Sequence, residues 1–421
     1  MNRSDKGNIF NKVIWFFLII HIWFPWLIYK VFGYFTVYPQ VLVNAAEYID
    51  VTMVLISLPL LITISIVKRR SKKDKLKEST ISGDSIPKLY IPYGMFATAV
   101  FIKLLYLVLL NTTSFLSSGS INIIFEYILL FFNTSVLLVL ILLDHEKKPI
   151  GKVLCCFFEI LCSSFTGSRA SIFKIILFLY LLLPTIDKKK RKKIYRLMFF
   201  LFPLSVVAFI FATSVIRGEN YSILEYIKLI IGRLSLLDPA AISLGGKLGG
   251  GWNSEVFISK YSFLNQMKLV TNTIIPGDIF PYDIHPNLYF RAVYFGNTLE
   301  WCNQYYSSMN MTLPVYFCVK YGYIPSVVIT VALLVIIYKL IRRTKSYNLS
   351  YSLLFIFIYQ LLYYFDWVYT FNYLYGILLT LMMLFCWSKI TQANKKQISY
   401  DLNMNTRNMT IKHKIKKATV I

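Results

Sequence analysis

Few side chains in this sequence can do chemistry, and most of those are charged groups or imidazoles set between long apolar runs. Arg169 stands in Thr166-Gly167-Ser168-Arg169-Ala170, at a break between two such runs. An arginine at depth in a membrane costs on the order of a few kcal/mol and must face a cavity or a partner. Its planar fork matches phosphate oxygens, so one reading is a fixed cation for a phosphorylated group at the membrane surface. The other is a structural ion pair with Glu159, one run earlier. His285 sits in Asp283-Ile284-His285-Pro286-Asn287, with Arg291 six residues on. A neutral imidazole can take a proton from a hydroxyl near neutral pH. A packing or surface histidine is the alternative. Glu47, Asp50, Glu126 and Asp366 lie near the ends of apolar runs. With Arg169, Arg217, Arg233 and Arg291 they would line a polar chamber on one side of the molecule. The run Gly245-Gly246-Lys247-Leu248-Gly249-Gly250-Gly251 lacks the spacing and the hydroxyl residue of a Walker loop. It is either an anion nest of backbone N–H groups or a flexible joint, and the joint is preferred.

These residues are embedded in a chain of 421 residues that is 57% hydrophobic and only 15% charged. Its mean hydropathy is +0.57. A soluble domain is about a quarter charged, so this composition cannot cover a soluble core. The net charge of +25 resembles a nucleic-acid signal. Its distribution argues otherwise, because Lys and Arg sit in short clusters between apolar runs, as in the cytoplasmic loops of helical membrane proteins. No nucleic-acid partner is expected. Cys155, Cys156, Cys162 and Cys386 fall inside apolar runs and read as small hydrophobes. Cys302 and Cys318 both fall on the side opposite the basic clusters. Four His without ligand spacing give no reason to expect a metal, and no cofactor is expected.

The elements that must position the chamber are helices, because the apolar runs are long and do not alternate. Ten runs are expected to span, at residues 13–32, 41–67, 90–110, 121–143, 153–165, 170–184, 197–216, 314–340, 349–365 and 368–387. The first lacks a small-residue cleavage site and reads as an uncleaved span. The fifth and sixth are short enough to form a hairpin that does not fully cross. Basic residues fill the N-terminus, 68–88, 147–152, 188–196, 339–345 and the tail. The opposite connections 33–40 and 111–120 carry none. The positive-inside rule then places both termini in the cytoplasm. The expected organisation is seven spans over residues 1–216, a large outer loop at 217–313, three spans over 314–388 and a basic tail at 389–421. The fold class is an all-α polytopic membrane protein with short helices in the outer loop.

That loop carries seven basic and seven acidic residues, and loops of such length are functional or folded. Ser222 and Glu225 have capping-box spacing before an apolar run. Ile223, Ile227, Ile230, Ile231, Leu234 and Leu237 then share one helical face, with Lys228 and Arg233 off it. The expected helix ends at Asp238-Pro239. It lies in the membrane interface or packs on its own bundle.

Three short stretches carry a resemblance to a known family. Gly167-Ser168-Arg169 resembles a glycine-serine-arginine turn between adjacent spans. Asn287-Leu288-Tyr289 to Phe295-Gly296, and Val319-Lys320-Tyr321-Gly322-Tyr323-Ile324, resemble loop-end and re-entry segments rich in Phe, Tyr and Gly. With the long loop before the last spans, the chain resembles the bacterial O-antigen and capsule repeat-unit polymerases, and it is similar to the O-antigen ligases. Asp283 stands where the ligase pattern has the first of two histidines. Pro325 stands where the re-entry segment often has glycine.

The resemblance implies a glycosyltransferase of the bacterial inner membrane. It would move a growing glycan from undecaprenyl pyrophosphate onto the end sugar of a new lipid-linked repeat unit, without a metal. It implies Arg169, Arg217, Arg233 and Arg291 as the holders of the pyrophosphate. The implied base is His285, or failing that Glu219 or Asp238. Trp252, Tyr289, Trp301 and Tyr305 would stack on sugar faces, although interfacial anchoring explains them as well. The implied partners are the lipid-linked oligosaccharide, membrane lipids and a chain-length regulator protein. A ligase and a flippase or other transporter are the alternatives. Charges at the outer ends of spans rather than mid-span, and the lack of matching halves, weigh against transport.

Overall fold

The computed structural model describes residues 3–36, 44–77, 92–110, 128–129, 131–143, 147–165, 221–248, 263–274, 311–343, 357–363 and 373–391, with scattered positions between them. Every regular element among the described residues is a helix. Four helices, Lys6–Phe32, Ala46–Lys73, Tyr323–Arg343 and Tyr373–Thr391, are long and apolar enough to cross a membrane.

The first span is built from α1 (Arg3–Phe17), a π-helical turn (Leu18–Trp23) and α2 (Phe24–Phe32). Its irregularity follows from the sequence. Pro25 lies four residues after His21 and has no N–H, so the His21 carbonyl lacks the donor that an α-helix would supply. The helix widens into the π-turn just before this point, a distortion common beside prolines and at functional sites. It stops at Gly33, whose φ of +82° suits glycine. A 3₁₀ turn (Ala46–Tyr48) then leads into α3 (Ile49–Lys77).

The helix α3 is the hub. It packs on α1, on α8 (Leu237–Leu248), on α10 (Leu313–Tyr321) and on α11 (Tyr323–Arg343). Phe10, Val13, Phe17, Ile56, Leu60, Leu334 and Tyr338 are fully buried in this contact. Lipid tails are as apolar as these side chains, so close fit rather than water exclusion holds the spans together. Gly7 shows how close the fit is. A Cβ there would lie 2.9 Å from the Ser71 Cβ. Lys6, itself buried, donates to the Ile341 carbonyl at 3.1 Å in the last turn of α11, where the helix dipole favours a cation. The basic ends of the first, second and Tyr323–Arg343 spans therefore meet at one end of the bundle.

A second group contains α4 (Tyr93–Leu110), α5 (Thr134–Leu143) and α6 (Pro149–Phe165), which pack on one another. They fall in the runs expected at 90–110, 121–143 and 153–165. The described residues between 192 and 210 are helical, and 170–184 lies outside the described residues.

The run expected to span 314–340 as one helix is broken. Its first part is α10, in which Leu313 through Val319 are all buried. Gly322, at φ +92°, ends it, and α11 starts at once. The Ser326 hydroxyl donates to the Pro314 carbonyl at 2.5 Å and ties the two helices together. The short α10 thus enters the bundle beside α3 before the chain turns into α11. It is followed by α12 (Ile358–Tyr363), every residue of which is buried, and by α13 (Tyr373–Thr391).

Candidate functional site

The polar groups that come together lie where the long loop meets the first span. Helix α7 (Ile223–Leu234) starts with the expected capping box: the Ser222 hydroxyl accepts from the Glu225 N–H, and the Glu225 carboxylate accepts from the Ser222 N–H at 2.7 Å. That bond holds the Glu225 carboxyl below the usual carboxylate range. Ile223, Leu224 and Ile227 are exposed, while Leu229 and Gly232 are buried. The helix stops at Leu234, short of the expected Asp238-Pro239. Ser235 breaks it with extended backbone and its hydroxyl accepts the Leu237 N–H at 3.2 Å, starting α8. Gly245 and Gly246, expected in a joint, are buried in α8.

This junction between α7 and α8 is drawn into the bundle. The His21 Nδ1 lies 2.6 Å from the Leu234 carbonyl. A carbonyl can only accept, so Nδ1 carries the proton and Nε2 is the acceptor. The Tyr359 hydroxyl, 2.8 Å away, donates to Nε2. The Leu236 N–H donates at 3.1 Å to the His21 carbonyl, the one whose i+4 donor Pro25 removes. The Tyr363 hydroxyl donates to the Arg233 carbonyl at 3.3 Å. His21 is eleven residues before Phe32, so the junction sits about 16 Å along the helix from the end of the first span.

Asp238 follows in the first turn of α8 and is fully buried. Tyr34 donates to one carboxylate oxygen, and Thr36 donates to the other at 2.8 Å. Burial, with the Asp238 charge beside it, holds the Tyr34 phenol far above its usual range, so it remains a donor at every physiological pH. This carboxylate pins the connection after the first span onto the long loop. Lys228 places its Nζ 5.9 Å from the centre of the Phe35 ring in the same connection. Further along, Gln266 on α9 (Phe263–Ile274) donates to the Tyr316 hydroxyl of α10 at 2.9 Å. The described helices of the long loop are thus moored in the bundle rather than forming a detached outer domain.

Of the residues singled out above, the structure brings Arg233 and Asp238 to this junction. His285, Glu219, Arg169, Arg217, Arg291, Trp252, Tyr289, Trp301 and Tyr305 lie outside the described residues, as do Glu126 and Asp366. Asp50 does not reach the junction. It accepts from the Trp26 indole and from the Lys30 ammonium, each at 2.8 Å, near the end of the first two spans. Those spans frame an apolar groove of about 550 Å³ lined by Trp23, Trp26, Leu27, Val54 and Leu58 among others. The Trp23 indole donates to Ser57 at 3.0 Å, so both tryptophan rings are tethered at their polar edges.

Glu159, offered by the sequence as one possible partner of Arg169, has two partners among the described residues. Its carboxylate lies 3.5 Å from the Lys103 ammonium and accepts from the Thr134 hydroxyl at 3.2 Å. Both charges sit well inside helices α4 and α6. No group of side chains suited to a metal occurs among the described residues. No family model, no curated protein and no solved structure matches this chain.

Proposed function

We propose that this protein is an oligosaccharide repeat-unit polymerase of the bacterial cytoplasmic membrane, with about ten spans, both termini in the cytoplasm and its chemistry at the outer face. The reading rests on the family resemblance of Gly167-Ser168-Arg169 and of the loop-end segments. One observation carries it to specific residues. The α7–α8 junction is drawn from the long loop to the first span and fixed there by His21, Tyr34, Thr36 and Tyr363. It carries Arg233 at its start.

In this reading an acceptor sugar hydroxyl attacks the anomeric carbon of the glycan. The bond from that carbon to the pyrophosphate oxygen breaks, and the electron pair leaves with the lipid pyrophosphate. Arginines stabilise the charge that develops there, a contribution that is commonly the largest in such catalysis. Arg233 is one of them, with Arg169, Arg217 and Arg291 as the others. A base takes the hydroxyl proton, with His285 first and Glu219 second. Asp238 already accepts two hydrogen bonds, so its role here is to fix the junction. The tethered Trp23 and Trp26 beside the open groove between the first two spans suit an apolar lipid chain. Trp252, Tyr289, Trp301 and Tyr305 remain the proposed sugar contacts.

The test is Arg233→Ala and Arg233→Lys, with polymer analysed on gels beside protein level. Loss of polymer of about a hundredfold or more is expected for Ala, the scale of one lost oxyanion-type contact. Partial function is expected for Lys, a point charge without the fork. Full polymer from Arg233→Ala would remove Arg233 from the site.

A second reading is a flippase or other transporter, and the Lys103–Glu159 pair is what favours it. Ionisable pairs inside spans commonly mark pathways for ions or substrates. The ligase reading gains nothing further.

A further inference from the structure

We infer that His21 is a positioning residue: through its Nδ1–H it sets the Leu234 carbonyl, and with it the place of Arg233 one residue earlier. The role in catalysis rests on the polymerase reading, whereas the positioning itself does not. Four observations converge on His21. The side chain is buried and uses both ring nitrogens, one donating to Leu234 at 2.6 Å and the other accepting from Tyr359 at 2.8 Å. The Tyr363 ring meets it edge-on with centroids 5.2 Å apart, which fixes the rotation of the imidazole. Its backbone carbonyl receives the Leu236 N–H, so side chain and main chain of one residue grip both sides of Ser235. Tyr363, which packs on the imidazole, also donates to the Arg233 carbonyl at 3.3 Å.

A histidine that only filled space would not need a donor and an acceptor on opposite edges. The π-turn gives the arrangement its location. Pro25 denies the His21 carbonyl its i+4 donor, and His21 lies in the widened turn that faces the junction. Buried polar groups that are all satisfied hold one arrangement, and removing one partner leaves the others without theirs. Removing the imidazole would strand the Leu234 carbonyl and the Tyr359 hydroxyl together. The backbone that carries Arg233 would then be free to shift, and a displacement of about 1 Å can cost about a hundredfold in rate.

The experiment uses the full-length chain in lipid nanodiscs and in cells, with His21→Ala, His21→Asn and His21→Gln. The Asn amide sits where Nδ1 sits and can still donate to Leu234. The Gln amide reaches the Nε2 position and serves Tyr359 instead. Hydrogen exchange of the peptide covering Arg233–Leu237 should rise on the order of tenfold in His21→Ala and stay near the wild-type rate in His21→Asn. Polymer formation should fall in His21→Ala and recover in His21→Asn but not in His21→Gln. Unchanged exchange in His21→Ala would overturn the inference. If His21→Ala does not accumulate, the other two variants decide, and equal behaviour of Asn and Gln would overturn it. An exchange result as expected, together with full polymer from Arg233→Ala, would keep His21 as the anchor of the junction and discard the pyrophosphate reading.

Discussion

At the scale of single residues, several of the described charges serve to fix structure. Asp238 is buried with a donor on each oxygen, and Asp50 is held by Trp26 and Lys30. Glu159 is held by Lys103 and Thr134. A buried pair costs solvation on both sides. Removing one partner therefore costs about 3–5 kcal/mol, while replacing both by apolar residues is close to neutral. Lys103→Met and Glu159→Leu should each lower thermal stability in detergent by that amount, and the double variant should regain most of it. A double variant as unstable as the singles would contradict a pairwise role. A stable double variant that makes no polymer would give the pair a part in function. The resemblance pointed to Arg233 as a pyrophosphate holder and to Asp238 as a fallback base; both lie at the junction, where Asp238 accepts from Tyr34 and Thr36. The sequence did not point to His21, which reads as one imidazole in an apolar span. The signal was Pro25 four residues later, which marks a carbonyl in need of a distant donor. Lys103 was equally hidden, because its partner is 56 positions away and no local spacing links them.

At the scale of elements, capping and periodicity were legible and breaks were not. Ser222 and Glu225 announced the start of α7, whose first residues Ile223, Leu224, Glu225, Ile227 and Lys228 are exposed. The end of α7 was misplaced by four residues because the break at Ser235, an ordinary helix residue by type, lies between the Leu234 carbonyl and the Leu236 N–H, both bonded to the distant His21. The split between α10 and α11 was missed because hydropathy runs unbroken through Gly322. Its φ of +92° with extended ψ is a conformation open to glycine and strained for other residues. Nothing lies within 4 Å of a Cβ built there, so the cost of a side chain is backbone strain alone. Gly322→Ala should therefore destabilise the protein by about 1–3 kcal/mol without a clash. Thermal unfolding checks this, and an unchanged midpoint would mean that the turn between α10 and α11 is not held as described.

At the scale of the whole molecule, the membrane class followed from composition and the helical class from apolar runs that are long and do not alternate, since only helices or closed barrels satisfy their backbone in lipid. The basic clusters foretold that the ends of the first, second and Tyr323–Arg343 spans would share one side, and Lys6 on Ile341 and Gly7 against Ser71 bring them together. What composition could not foretell is that the long loop returns into the bundle through α8, because burial of α8 depends on α3 and α10 rather than on its own pattern. In the proposed topology Lys73→Cys and Arg343→Cys face the cytoplasm and Asn44→Cys faces outward. An impermeant thiol reagent applied to intact cells, with the native cysteines removed, should label only Asn44→Cys. Labelling of just one of Lys73→Cys and Arg343→Cys would refute the shared basic side, and labelling of both would refute its cytoplasmic placement. Polymerase activity is tested by a gel of surface and lipid-linked glycan from a strain lacking this gene. Loss of a polymerase leaves glycan that stops at a single repeat unit on its final acceptor, which is the expected result. Long polymer retained on the lipid carrier, or no exported glycan at all, would contradict it and point to the ligase or the flippase.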